Sequence, residues 1–215
     1  MKTSQGGHSD DDVDYVEIEA NLTEGWKCQR QFLLDREDRM LYVADAILGT
    51  EPREVSYSCN WPIHSELQID AEKETTEVAL SAGRRKVARV LPLALPEWKC
   101  DNRRIGSLDD LEDGLAYRLE RKAVRLYAPL VIDLDEDRIK YPYTWRQLTV
   151  GQELEHVSPD DGVAYRVQLR LNQWLIYRSL SQVASRTVLG QNYYYEFVCG
   201  RFEPNGDVEA LIEVE

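Results

Sequence analysis

What the sequence lacks removes most familiar chemistries before any positive signal is considered. It has only three histidines, His8, His64 and His156, too few for a centre built on several imidazoles. Its four cysteines, Cys28, Cys59, Cys100 and Cys199, include no Cys-x-x-Cys pair, which argues against zinc knuckles and thioredoxin-like redox sites. Two disulfides and four thiols both stay open, because a core of this size needs no covalent staples. No apolar run reaches the roughly 18 residues that span a bilayer, so no membrane insertion is expected. There is no Gly-x-Ser-x-Gly elbow, phosphate loop, His-Glu-x-x-His pair or dinucleotide glycine pattern, and no cofactor is expected. The segment Met1–Asp14 is polar and acidic without an apolar centre, so it does not read as a signal peptide. In a piece cut from a longer protein, an export signal would lie outside it.

Charge of one sign is also short. Twenty-six basic residues stand against 39 acidic ones, a net charge of −13 over 215 residues. Such a field repels phosphate backbones, so no nucleic-acid partner is expected. The basic clusters Arg84, Arg85, Lys86, Arg89 and Arg118, Arg121, Lys122, Arg125 read as surface charges paired with carboxylates.

What is present is alternation. Val16–Glu17–Ile18–Glu19 begins it, and Met40 to Leu48 is a strongly apolar strand. Residues 162–169 and 173–180 read as the clearest hairpin, and 193–202 with 208–214 as another around Pro204-Asn205-Gly206. Residues 1–12 read as a flexible acidic tail and 13–215 as one domain. Pro92 to Asp113 reads as a long loop with the greatest claim to function. Leu108 to Arg121 is the best helix candidate, with Gly114 against it, and Val150 to Val157 is ambiguous between strand and short helix. Pro129 requires an edge strand or a bulge. Crossover helices have no room, so the expected fold is all-β: a large antiparallel sandwich of two sheets with about a dozen strands.

Candidate chemistry follows from side-chain type. Asp45 and His64 supply two ligands toward a zinc or calcium ion, with no third given by spacing. A structural role for Asp45, accepting backbone N–H bonds or pairing an arginine, is the favoured alternative. Proton abstraction beside a uronic carboxylate needs a tyrosine or histidine and a cation. Tyr57 with His64, or Tyr177 with Arg178, fill those roles nominally, although 12 tyrosines make any choice arbitrary. The many turn carboxylates, Asp109 to Asp137 among them, single out no hydrolytic pair. Aromatic residues suggest a sugar-stacking platform drawn from Trp61, Trp98, Tyr193, Tyr194 and Tyr195.

The stretch Arg30-Gln31-Phe32-Leu33-Leu34, followed by Met40-Leu41-Tyr42-Val43-Ala44-Asp45-Ala46-Ile47, resembles the β-sheet portion of heparinase II/III-like polysaccharide lyases. In them, too, an apolar strand ends in an aspartate followed by a further apolar residue. The resemblance is one of pattern, strongest over residues 26–70. It implies an association with acidic polysaccharides and β-elimination, with catalytic tyrosine and histidine drawn largely from a preceding helical toroid. No such toroid is present in these residues, and only Asp45 matches a family position. The expectation is therefore a non-catalytic carbohydrate-associated or interaction domain. A polysaccharide lyase or hydrolase is the enzyme alternative, and a structural domain bound to a partner protein or to its own copies is the third.

Overall fold

Period-two burial governs the chain. Trp174 and Ile176 turn to one core while their neighbours Leu175 and Tyr177 turn to another, as successive strand residues must. In a computed structural model, residues 3–215 are described, with side chains from residue 7 onward. Nine strands form the first sheet: β1 (Thr3–Ser9), β2 (Val13–Asn21), β3 (Lys27–Asp35), β4 (Met40–Pro62), β5 (Leu67–Ala71), β6 (Val78–Ala82), β7 (Arg85–Pro92), β8 (Gly106–Leu111) and β9 (Gly114–Asp133). Their order is β1-β2-β3-β4-β9-β7-β6-β5, with β8 also pairing β9. Then follow β10 (Tyr143–Leu148), β11 (Gly151–Gln152), β12 (Glu155–His156), β13 (Gly162–Leu169), β14 (Asn172–Ser179), β15 (Arg186–Val188), β16 (Gln191–Tyr193), β17 (Phe197–Phe202) and β18 (Val208–Val214). They make a five-stranded sheet, β10-β13-β14-β17-β18, and a small one, β12-β11-β15-β16.

The fold is thus an all-β, antiparallel sandwich, with a third sheet and more strands than the sequence pattern resolves. Between the two large sheets lies a core holding Tyr42, Trp145, Trp174 and Phe197. Phe197 stacks on both Tyr15 and Tyr42, with ring centroids 5.5 and 5.7 Å away. The small sheet covers the outer face of the five-stranded one through Tyr177, Val188 and Tyr193. A further core, with Val55, Tyr57, Tyr117 and Leu130, is supplied by the nine-stranded sheet and its connections. That sheet therefore curls over its own second face. The curl begins where the β4–β9 register shifts between Leu48 and Arg53, since an irregularity of this kind bends and twists a ladder.

Several expectations need correction. Leu108 to Arg121 is not helical but the β8–β9 hairpin, turning before Gly114. Among the described residues the only helical turn is the 3-10 segment Thr23–Gly25, and no helix is long and apolar enough to cross a membrane. Val150 to Val157 contains the β11–β12 hairpin. Of the expected long loop, residues 106–111 are strand. Residues 3–9, read as tail, pair with β2 from Thr3↔Ala20 to Ser9↔Asp14. Thr3–Ser9 reads TSQGGHS, with no apolar residue to show a period of two. Pro129 lies inside β9, yet its carbonyl accepts the Leu93 N–H at 3.0 Å. Its missing donor therefore faces the side where β7 has already ended at Pro92, and no ladder bond is lost.

At one end of the sandwich Asp35, Asp38 and Asp133 are buried with Arg138, while Arg201 reaches Asp38 at 2.6 Å. Burial, then the neighbouring charge of Asp35, hold the Asp38 carboxyl above the ordinary range despite Arg201 and Arg138. A carboxyl raised in this way supports folding fully below its unfolded pKa, and that support is lost as pH rises through the folded value. Asp38→Asn should therefore flatten the dependence of unfolding free energy on pH above about 4, the ordinary aspartate value, measured by urea denaturation. An unchanged slope would refute the assignment.

Candidate functional site

The segment between β7 and β8 is pinned from both sides. Leu93 and Leu95 are buried, and the Trp145 indole N–H donates to the Leu95 carbonyl at 2.8 Å. The Glu97 carboxylate accepts the Trp145 main-chain N–H at 2.8 Å and the Thr144 hydroxyl. From the other side, Thr76 N–H donates to the Glu97 carbonyl and Lys99 N–H to the Glu74 carbonyl, each at 2.8 Å. The chain is thus fixed immediately before and after Trp98, yet the Trp98 side chain stays 52% exposed. The exposed indole thus sits on a segment whose main chain is hydrogen-bonded on both sides.

Trp98 walls a cleft of about 290 Å³, shared with Asp101, Arg103, Trp145, Arg146 and Gln147. Arg103 grips Asp101 with Nη2–Oδ2 at 2.6 Å, and these hydrogen bonds hold the Asp101 carboxyl down at about 2. Glu97 is already committed to β10. Arg146 and Gln147 are exposed on the edge strand. The Trp145 N–H points away from β13, toward Glu97, so the main-chain groups of Gln147, two residues on, face the same open edge. The cleft offers an aromatic wall, a guanidinium, an amide and a strand edge. No tyrosine or histidine is among its lining residues, and its carboxylates, Glu97 and Asp101, are both hydrogen-bonded within the chain.

The other sequence candidates are dispersed. Asp45, 2% exposed, receives both Nε and Nη2 of Arg30, at 2.7 and 2.6 Å, and the Tyr57 hydroxyl at 2.8 Å. Arg30 also lies 5.0 Å above the Trp61 ring. Burial, and then the Asp45 charge, push the Tyr57 hydroxyl well up, which leaves it a hydrogen-bond donor and no base. His64 is exposed and meets Glu66. Among the described residues, no group of three or more His, Cys, Asp or Glu side chains is arranged to hold a metal ion. The Asp45–His64 metal pairing gives way to the structural role, Asp45 pairing an arginine.

Tyr177 and Arg178, adjacent in β14, point to opposite faces. Tyr177 stacks on Tyr193 at 5.6 Å in the outer core. Arg178 is buried between the large sheets, bound to Glu17 at 3.1 Å and Glu196 at 2.7 Å. They cannot act as a catalytic pair. Of the three tyrosines, Tyr193 is buried, Tyr194 exposed and Tyr195 packed partly on the outer core, so they form no common platform. The four cysteines are free thiols. Sequence reasoning found Trp98 but missed Arg146 and Gln147. Each sits in an ordinary strand pattern and gains meaning from what lies across from it.

No protein-family model matches this chain, and no curated protein matches it by sequence. In fold it is similar to the heparan sulfate lyase HepC from Pedobacter heparinus, with TM-score 0.55 and 11% identity. The match covers 85% of this chain and 29% of that one. A mutant of the same lyase gives TM-score 0.55 at 12% identity over the same shares. The chain thus spans less than a third of the length of these enzymes, and at such identity the likeness is one of fold.

Removing the Asp45 carboxylate would leave Arg30 and Tyr57 without their shared acceptor. Because Arg30 keeps part of its solvent contact, we expect Asp45→Ala to cost about 2–3 kcal/mol, below the value for a fully buried pair. Guanidinium denaturation measures this. A loss under about 0.5 kcal/mol, the usual effect of surface substitutions, would show that the clasp is not structural.

Proposed function

We propose that this chain is a carbohydrate-associated β-sandwich domain that binds a sugar through the Trp98 cleft and has no catalytic activity of its own. The observation that carries this reading is Trp98 itself, half exposed on a segment whose main chain is fixed on both sides. An indole held in place stacks on the C–H face of a pyranose ring without an ordering cost, while flanking polar groups take up the hydroxyls. Arg146 and Gln147 are placed for that second role. The fold likeness to a lyase of heparan sulfate supports polysaccharide as the ligand class to test first.

The enzyme alternative, a lyase or hydrolase on acidic polysaccharide, finds less support. The lining of the cleft offers no tyrosine or histidine, and its two carboxylates are engaged, Glu97 with Thr144 and Trp145 and Asp101 with Arg103. An interaction domain without sugar affinity is the remaining reading. It gains if Trp98 proves indifferent to glycans.

Binding is measured on an array of neutral and uronic-acid polysaccharides, then by calorimetry on the best ligand. Trp98→Ala should weaken affinity by about tenfold, corresponding to roughly 1.4 kcal/mol of stacking, with an unchanged melting temperature. Arg146→Ala should weaken it by a smaller factor. Folded protein that binds no glycan, or binds equally well without Trp98, would overturn the proposal. Release of unsaturated sugar products would overturn its non-catalytic part.

A further inference from the structure

A cavity of about 660 Å³ lies beside the small sheet and shares no residue with the Trp98 cleft. The β11–β12 hairpin, residues 152–156, forms one wall, and residues 181–184, between β14 and β15, form another. Arg186, which is buried, ties the two together. It donates from Nε to the Gln152 amide oxygen and from Nη1 to the Asp161 carbonyl at 2.6 Å and the Ser179 hydroxyl at 2.8 Å. From Nη2 it donates to the Ser181 hydroxyl at 2.8 Å and to the Gln182 carbonyl. Gly162 makes room for this arrangement, since a Cβ there would stand 2.8 Å from Nη1. The walls are therefore fixed by a single buried side chain.

The hairpin wall is strained. Its two turn residues, Glu153 and Leu154, have φ of 51° and 67°, a left-handed pair for which Asn-Gly is the usual choice. Leu154 is also fully exposed, so no packing offsets the cost. Strain of this kind clusters at ligand clamps and other working loops.

We propose that this cavity is a second saccharide site, independent of Trp98, and that it takes a neutral sugar of one or two rings. Its size falls within the range of small-ligand pockets, about 300–1,000 Å³. Its chemistry excludes the other classes. Arg186 offers nothing to an anion, because all five of its N–H groups are turned to oxygens of the chain. The Glu153 and Glu155 carboxylates and the His156 imidazole are exposed and make no side-chain hydrogen bond or ion pair among the described residues. Free carboxylates accept hydroxyl donors in short, charge-assisted bonds, and their two oxygens suit a pair of neighbouring hydroxyls. The same groups repel a uronate or a sulfate. Val183, half exposed in the opposite wall, offers apolar surface to the C–H groups of a ring. The preference is thus the reverse of that expected for an acidic polysaccharide.

Amide chemical shifts of the isotopically labelled full chain read this cavity and the Trp98 cleft separately. The neutral probes are maltose, cellobiose, lactose and mannobiose, with glucuronate as the acidic probe and spermidine as the cationic one, each taken to tens of millimolar. We expect a neutral disaccharide to shift the amides of residues 152–157 and 182–184 saturably, with glucuronate at least tenfold weaker. Glu155→Ala, at an exposed position, should weaken this binding at least fivefold, and Trp98→Ala should leave it unchanged. Leu154→Gly suits the backbone of the turn, so the melting temperature should not fall, while the binding weakens. No shift at these amides with any neutral probe overturns the proposal, as does binding indifferent to both Glu155→Ala and Leu154→Gly. Glucuronate or spermidine binding there as tightly as the sugar overturns the ligand class. Loss of the shifts in Trp98→Ala would assign the sugar to the Trp98 cleft and remove the second site.

Discussion

The curl of the nine-stranded sheet is clasped by one carboxylate, Asp45. Asp45 and Tyr57 belong to the same strand, 12 residues apart, which in a straight strand would be about 40 Å. Their 2.8 Å hydrogen bond exists because β4 bends back at its register shift, and Arg30 closes the clasp from β3. That bend brings Val55 and Tyr57 against Leu126 and Leu130 and so creates the second core. The same core includes Leu95, which helps fix the segment carrying Trp98. The Asp45 clasp and the second core that includes Leu95 therefore both follow from the bend made at that irregularity.

A second polar link ties the two large sheets together. Tyr127 donates to Gln31 at 2.5 Å, Gln31 to Tyr15 at 2.8 Å and to Glu17 at 3.0 Å, and Arg178 then joins Glu17 to Glu196. Buried donors and acceptors satisfied in this way fix which residues face each other, where an apolar interface alone would tolerate sliding. The interior is thus largely committed to holding the fold. Arg178 and Tyr177, chemically attractive in the sequence, are consumed by packing, and the groups left over lie at the edges. Those leftovers are Trp98 with Arg146 on one side and the cavity walled by the β11–β12 hairpin on another.

Much of the architecture was legible in the residues. Period-two alternation marked β13 and β14, and the Pro-Asn-Gly turn marked β17 and β18. The apolar run Met40 to Leu48 marked the first part of β4. Where legibility failed, the cause is physical. In Leu108 to Arg121, apolar spacing over a short stretch fits helix and strand alike, and Gly114 turned out to open the second strand of a hairpin. Strand β1 has no apolar residue to alternate, and β11 and β12 are too short to show a period. Within the cleft, Trp98 was visible as a large aromatic in an irregular stretch. Arg146 and Gln147 were not, since nothing in a strand sequence says which edge lies open.

The sequence by itself determined the class of structure and the chemistries that are missing, because alternation, turn residues and absent motifs are local properties. Only the tertiary structure decided which side chains are free to act. Freedom depends on what packs against a residue from distant parts of the chain: Asp45 is spent on Arg30 and Tyr57, Arg178 on two glutamates, while Trp98 and Leu154 are left uncovered. Burial and pairing across long sequence separations are not encoded in the neighbours of any one residue, so function at this level is a property of the assembled sheets.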